Sequence, residues 1–452
     1  DKKLENFEDR EAYKRRINDS KMITYIYTKY EHNKELTKED LNFIYEVDRQ
    51  IEGFGYRQDS RIEEIKQGRN KRKDLAKMYE CKEEEIGLNE YDFRKANEKG
   101  IRLKCYLGNL DLDSLKSTKG IKLPEIMQGN LILSRLKSAK GLELPEIVQG
   151  NLILSSLKNA EGLKFPERVE YLNLFSLKSA KGIKLPKEVR SLNLGSLKNA
   201  EGLKLPEKVE YLNLNSLESA KGLEFSEKVG HVQLNSLKSA KGIKFPKEAE
   251  EIGLSNLENV EGLELPEKVK ILNLSSLKST EGLELPKKVK MLDLSHLESA
   301  KGLELPEGVE YLDLSHLESA KGLELPKEVE ILILIRLKSA EGLKLPNGVK
   351  KLSLFSLKSV EGLELPEGVE YLDLRSIKSA EGLKLPNGVR KLDLFSLESA
   401  KGLELPEKVE YLDLRSIKSA EGLELPDRID KVLLPEEIKK ELLAKQNFKR
   451  AR

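Results

Sequence analysis

The chain is poor in cysteine, in histidine and in net charge, and it has no long apolar run. Two cysteines in 452 residues, Cys81 and Cys105, cannot build a disulfide framework. They read as free thiols and fit a reducing, cytoplasmic setting. Lysine and arginine number 80 against 78 aspartates and glutamates, so the formal charge is only +2. That balance excludes a chain-wide basic surface for nucleic acid or anionic membrane. No apolar stretch approaches the roughly 20 residues of a membrane-spanning helix. The four histidines, His32, His231, His296 and His316, leave little material for acid–base catalysis or a metal centre. The chain starts at Asp1, which is compatible with a trimmed start or a removed signal segment. Proline is missing from the first 104 residues and then recurs at regular intervals.

Those prolines mark a unit repeated sixteen times, at 21 residues and then, from Pro166 onward, at 20. In the copy that runs from Val309 to Pro326, Leu312 and Leu314 are two apart and point one way, while Tyr311, Asp313 and Ser315 point the other. This predicts one short strand per unit. A unit this small cannot enclose a core, so neighbours must stack and share one, with strands side by side in a parallel sheet about 5 Å per rung. Leu317, Ala320, Leu323 and Leu325 are expected to fill the coil. A glycine recurs in every unit, from Gly120 to Gly422, as a backbone that needs positive φ or close approach would require. Proline follows the last leucine in fifteen units, with Ser226 as the replacement, and suits a reversal of the chain rather than a helical return limb. Between Leu317 and Ala320, Ser319 and its counterparts are always Ser or Asn. That position is expected near the coil interior, satisfying backbone groups of the next turn.

The expected fold class is a mainly β repeat solenoid with a helical N-terminal domain and a C-terminal capping helix. Residues 1–104 form the head, 105–428 the solenoid and 429–452 the C-terminal helix with a basic tail. In the head, Thr37 and Asp40 form a capping box with Asp replacing the usual Glu or Gln. It opens a helical rhythm through Leu41, Ile44, Tyr45, Val47 and Ile51, broken at Gly53, Phe54, Gly55 and Tyr56. A second helix starts at Asp59 or Ser60 and carries Ile62, Ile65, Leu75 and Met78; a third spans 83–98. The head is expected to cover the first coil. At the other end, 435–443 reads as a short helix opened by Pro435 that covers the last coil.

The unit resembles the short bacterial leucine-rich repeats, whose units have the same length, the Leu-x-Leu strand and the Leu-Pro return. The resemblance covers residues 105–428 and implies a binding scaffold. It departs in lacking the buried asparagine of the usual unit, in whose place Leu317 begins the turn and Ser319 replaces the ladder. The segment from Leu36 to Asn70, with Arg57 after Tyr56 and Arg61 through Ile65, is similar to heads found on repeat proteins of uncultivated bacteria. Some effectors with these repeats carry a ubiquitin-ligase domain with a catalytic cysteine; nothing in this chain matches it.

Function therefore has few places to reside. His296 and His316 occupy one slot of adjacent units, near Asp293 and Asp313, but no third ligand converges, so no metal and no cofactor is expected. The acidic residues fall on repeated rows rather than in buried pairs, and burial that would shift a pKa is not expected. Glu324, Lys344, Glu364, Lys384 and Glu404 alternate along one row, a register and solubility device. Specificity must lie in the three variable columns of the sheet. Ile331, Ile333 and Ile335 are expected exposed beside Phe355, flanked by Lys351, Arg336 and Tyr371, with Arg375 and Phe395 on the following rungs. This is the expected site for a protein partner. Residues 344–382 and 384–422 are nearly identical, so the alternation of aromatic and basic rungs there records a duplicated block. The alternative is a nucleic-acid-associated protein acting through Arg69, Lys71, Arg72 and Lys73 in the head and through Lys445, Lys449, Arg450 and Arg452 in the tail.

Overall fold

A computed structural model describes residues 10–47, 49, 51–52, 59–115, 120–426 and 429–450. The chain divides into two compact units: Asp1–Leu174 with Gly182–Val189, and Phe175–Lys181 with Arg190–Arg452. The break expected at Gly53 to Tyr56 lies outside the described residues.

In the first unit, helix α1, Arg10–Glu31, was not signalled by the sequence, because its buried face is only Asp19, Ile23 and Ile26 among many charges. Helix α2, Lys38–Ile44, opens with the capping box: the Thr37 hydroxyl accepts from Asp40 N at 3.2 Å, and the Asp40 carboxylate accepts from Thr37 N at 2.8 Å. The helix stops at Ile44 rather than running to Ile51, since Glu46 takes a left-handed φ of 54°. The expected second helix is two. Helix α3, Ser60–Gln67, is capped by Asp59, and α4, Lys71–Met78, is capped anew by Asn70, whose side chain accepts from Lys73 N at 3.1 Å. The segment expected as a third helix opens with a 3-10 turn, Glu83–Glu85, and a short strand, Ile86–Gly87, before α5, Glu90–Glu98. The helices bury Ile26, Leu36, Leu41, Ile62 and Leu75 in one cluster with Cys105, and Leu107 and Ile126 of the first coils pack against it. Tyr79 accepts from Gln128 Nε2 at 2.6 Å, and Asn97 accepts from Lys122 N at 2.7 Å. The head thus covers the apolar end of the first coil, which would otherwise meet water.

The 21-residue coils differ from the rest. Their extra residue lies between Pro and Leu-x-Leu and splits the strand in two. One set runs Ile86–Gly87, Cys105–Tyr106, Ile126–Met127 and Ile147–Val148, and the other begins Leu110–Asp111, Leu131–Ile132, Leu152–Ile153. A side chain on Gly129 would strike the backbone of Gly108, so only glycine fits. There an asparagine ladder appears that the sequence reading missed: Asn109 accepts from Asn130 N at 3.0 Å, and Asn130 from Asn151 N at 2.8 Å.

The second unit consists of 20-residue coils with one three-residue strand each, from Tyr211–Asn213 to Lys431–Leu433. Each pairs in parallel with the next, residue i opposite i+20. Val309, Leu312, Leu314, Leu317, Ala320 and Leu323 are buried. Leu325, expected inside, is half-buried, and Pro326 is buried instead. Leu323 N donates to Ala320 O at 3.0 Å, closing a turn whose third residue, Gly322, has φ +81°. That is the geometry of a type II turn, which demands glycine there. All sixteen repeat glycines have positive φ. Ser319 is exposed, contrary to expectation. Its hydroxyl accepts from Lys321 N at 3.3 Å within its own coil, so it shapes a local turn and builds no interior ladder. Helix α6, Glu436–Arg450, follows Pro435 and buries Ile438; it continues past residue 443, where the short helix was expected to give way to a basic tail.

Candidate partner-binding face of the sheet

Residues flanking the two buried leucines of each strand face away from the coil interior. Along a column they stand one rung apart, about 5 Å, so exposure is set by neighbours 20 residues away. Ile331 and Ile333 are therefore only half-buried rather than exposed, shielded from both adjoining rungs. Ile335 and Phe355 are exposed, each at 38%. Lys351 is exposed and Tyr371 half-buried. The Arg375 guanidinium lies 5.6 Å from the centre of the Phe355 ring, and Arg415 lies 4.9 Å from that of Phe395, itself 40% exposed. Each ring is met by a cation from the next coil, two residues from the aspartate row.

That row overturns the expectation that no carboxylate is buried. Asp373, Asp393 and Asp413 are in register on three consecutive rungs, and all are buried. Arg375 Nε lies 2.5 Å from Asp393 and 3.5 Å from Asp373, while Arg415 grips Asp413 at 2.6 and 3.0 Å. Burial pushes the Asp373 carboxyl above its ordinary range, outweighing the nearby Arg375 charge. Asp313 is likewise raised by burial, against hydrogen bonds from Ser315.

Sequence reasoning missed an apolar stripe in the first column. Ile271 and Met291 are 37% and 43% exposed, and Tyr311 and Ile331 continue the line on the next two rungs. Reading that one column through every coil would have found it, because Ile271 and Met291 stand where Ser191, Glu251 and Lys351 stand elsewhere.

The remaining candidates behave differently. His296 and His316 stack with centroids 4.2 Å apart, and each Nδ1 is 2.7 Å from a carbonyl of the preceding coil, Ser275 and Ser295. Near-parallel rings direct their free nitrogens side by side rather than at one cation. Among the described residues no group of three His, Cys, Asp or Glu could hold a metal ion. The row from Glu324 to Glu404 forms no ion pair among the described residues. Pairing occurs instead in other rows, as in Lys290–Glu310 and Lys350–Glu330, both at 2.6 Å and solvent-exposed. In the head, Arg69 is held by Asp74 and Arg72 by Asp92, both at 2.6 Å.

In-register parallel pairing at every 20 residues, with Leu-x-Leu inward and a Leu-Pro return, decides the architecture. The chain is a leucine-rich-repeat-like parallel β-solenoid. Such solenoids offer long binding surfaces rather than enclosed active sites. No family model matches this leucine-rich-repeat-like chain, nor does any curated protein. Two solved structures are similar. One is YopM of Yersinia pestis, described as a leucine-rich effector protein, at 17% identity and TM-score 0.43, covering 76% of this chain and 91% of that one. The other is YopM of Yersinia enterocolitica, at 18% identity and TM-score 0.42, covering 76% and 80%. Among the described residues no helix is long and apolar enough to cross a membrane.

Proposed function

We propose that the chain is a non-enzymatic scaffold that binds a protein partner through the sheet face around Ile331, Ile333, Ile335, Lys351, Phe355, Tyr371, Arg375 and Phe395. The observation that carries this reading is the adjacent, exposed pair Ile335 and Phe355, in a column where the three preceding coils hold Ser275, Ser295 and Ser315. Exposed apolar side chains grouped on a rigid surface and rimmed by cations are the composition of a binding hot spot. The rigidity comes from the ladder: the backbone under each of these side chains is fixed by two neighbouring coils, so little ordering cost falls on binding.

Affinity capture with the intact chain tests it. Proteins retained by the wild type should be lost with Ile333→Lys and Phe355→Ala combined, while circular dichroism stays unchanged. Retention of every captured protein by the double variant would defeat the assignment of this surface.

A further inference from the structure

The apolar stripe Ile271, Met291, Tyr311 and Ile331 has a geometry that selects its occupant. Its members sit at one position of four consecutive, in-register strands. Four rungs spaced about 4.8 Å apart make a line of roughly 14 Å. An α-helix laid along the stack advances about 5.4 Å per turn, so its apolar face drifts by only about 0.6 Å per rung. An extended peptide in the same direction repeats its face every 6.6–6.8 Å or so and falls out of step by about 2 Å per rung. Over three intervals the helix stays within about 2 Å of register, and the extended peptide is displaced by about 6 Å. About ten helical residues, three turns, cover the stripe.

The stripe is also flanked asymmetrically. On one side the charges neutralise each other, Lys270 with Glu250 and Lys290 with Glu310. On the other side, two residues along the strands, lie Asp293 and Asp313. Neither forms an ion pair with any described residue, whereas Asp373, Asp393 and Asp413 in the same column are each held by an arginine of this chain. The Asp313 carboxylate accepts from Ser315 N at 2.9 Å and from the Ser315 hydroxyl, with His316 nearby, and among the described residues no Lys or Arg pairs with it. A helix is about 10 Å across, so a basic side chain on its flank overlies this row.

We propose that the stripe docks an amphipathic helix of a protein partner, laid along the stack, whose apolar side chains recur every turn and whose one flank carries Lys or Arg facing Asp293 and Asp313. The proposal rests on the sheet face being a protein-binding surface and adds the chemistry of the ligand.

The test is a selection of 14-residue peptides from a displayed library against the full chain. One half of the library has apolar positions at helical spacing with random flanks, and the other half alternates apolar and polar residues. Enrichment of helical-pattern clones with Lys or Arg on one flank is expected. Their synthetic peptides should bind at least tenfold more weakly to Met291→Lys, an exposed position, and several-fold more weakly to Asp313→Asn, with helicity rising on binding. Enrichment of alternating clones lost on Met291→Lys would overturn the helix and leave the surface standing. Helical clones indifferent to Asp313→Asn would also overturn the proposal. Clones unaffected by both Met291→Lys and Ile333→Lys, or no enrichment at all, would overturn both it and the sheet-face reading.

Discussion

Thr280 occupies the slot that alanine holds in most coils, and it is buried with its hydroxyl unpartnered. A buried hydroxyl without a hydrogen bond costs about 1–3 kcal/mol. The same slot holds Val360, which is buried, and Val260, which is half-buried, so the coil accepts two branches on Cβ. Thr280→Val therefore removes the polar atom without leaving a hole and adds a buried methyl worth about 0.8 kcal/mol. Together these predict a stabilisation of about 2 kcal/mol. A long repeat array need not unfold in one step, so the gain is best read locally. Leu283 N donates to Thr280 O at 3.0 Å. Native-state hydrogen exchange of the peptide containing Leu283 should slow by about thirtyfold, since each 1.4 kcal/mol is a factor of ten. Exchange that is unchanged or faster in Thr280→Val would refute the reasoning.

Two further perturbations probe the coil and its face. Gly322 has open space where a Cβ would go, so Gly322→Ala tests backbone strain alone; it should cost about 1–2 kcal/mol in urea unfolding. Asp313→Asn should stabilise the chain at pH 7 and hardly at all below pH 4. Its folded pKa is raised above the unfolded value, so its contribution to stability is greatest when protonated and is lost as pH rises through the folded pKa. Asparagine fits, because Asn273 in the same column already accepts from Ser275 N at 3.0 Å. Urea midpoints from pH 3 to 8 should show the gap between variant and wild type opening with pH; a constant gap would contradict it.

The coil was legible in the sequence because Leu, Gly and Pro recur in fixed slots and each slot has one steric demand. Local turns and caps that override an apolar rhythm, and exposure set by neighbouring coils, were not legible in the same way. Ser319 looked interior from its apolar neighbours Leu317 and Ala320, but the turn it caps swings it into solvent. The apolar rhythm from Ile62 to Met78 concealed the new cap at Asn70. On the sheet face, exposure comes from residues a full unit away. Ile333 is covered by Asp313 and Ser353, and the Ile271–Met291 stripe is visible only when the coils are aligned by their pairing. Arg375 reads as an exposed cation in the sequence, yet it is spent on Asp373 and Asp393.

In the proposed function a partner protein meets the sheet face. A photo-crosslinking amino acid placed at Phe355, and separately at Lys301 in the exposed turn before Gly302, tests it directly in the presence of the captured partner. Covalent adducts are expected from position 355 and none from 301. Adducts from 301 with none from 355 would contradict it.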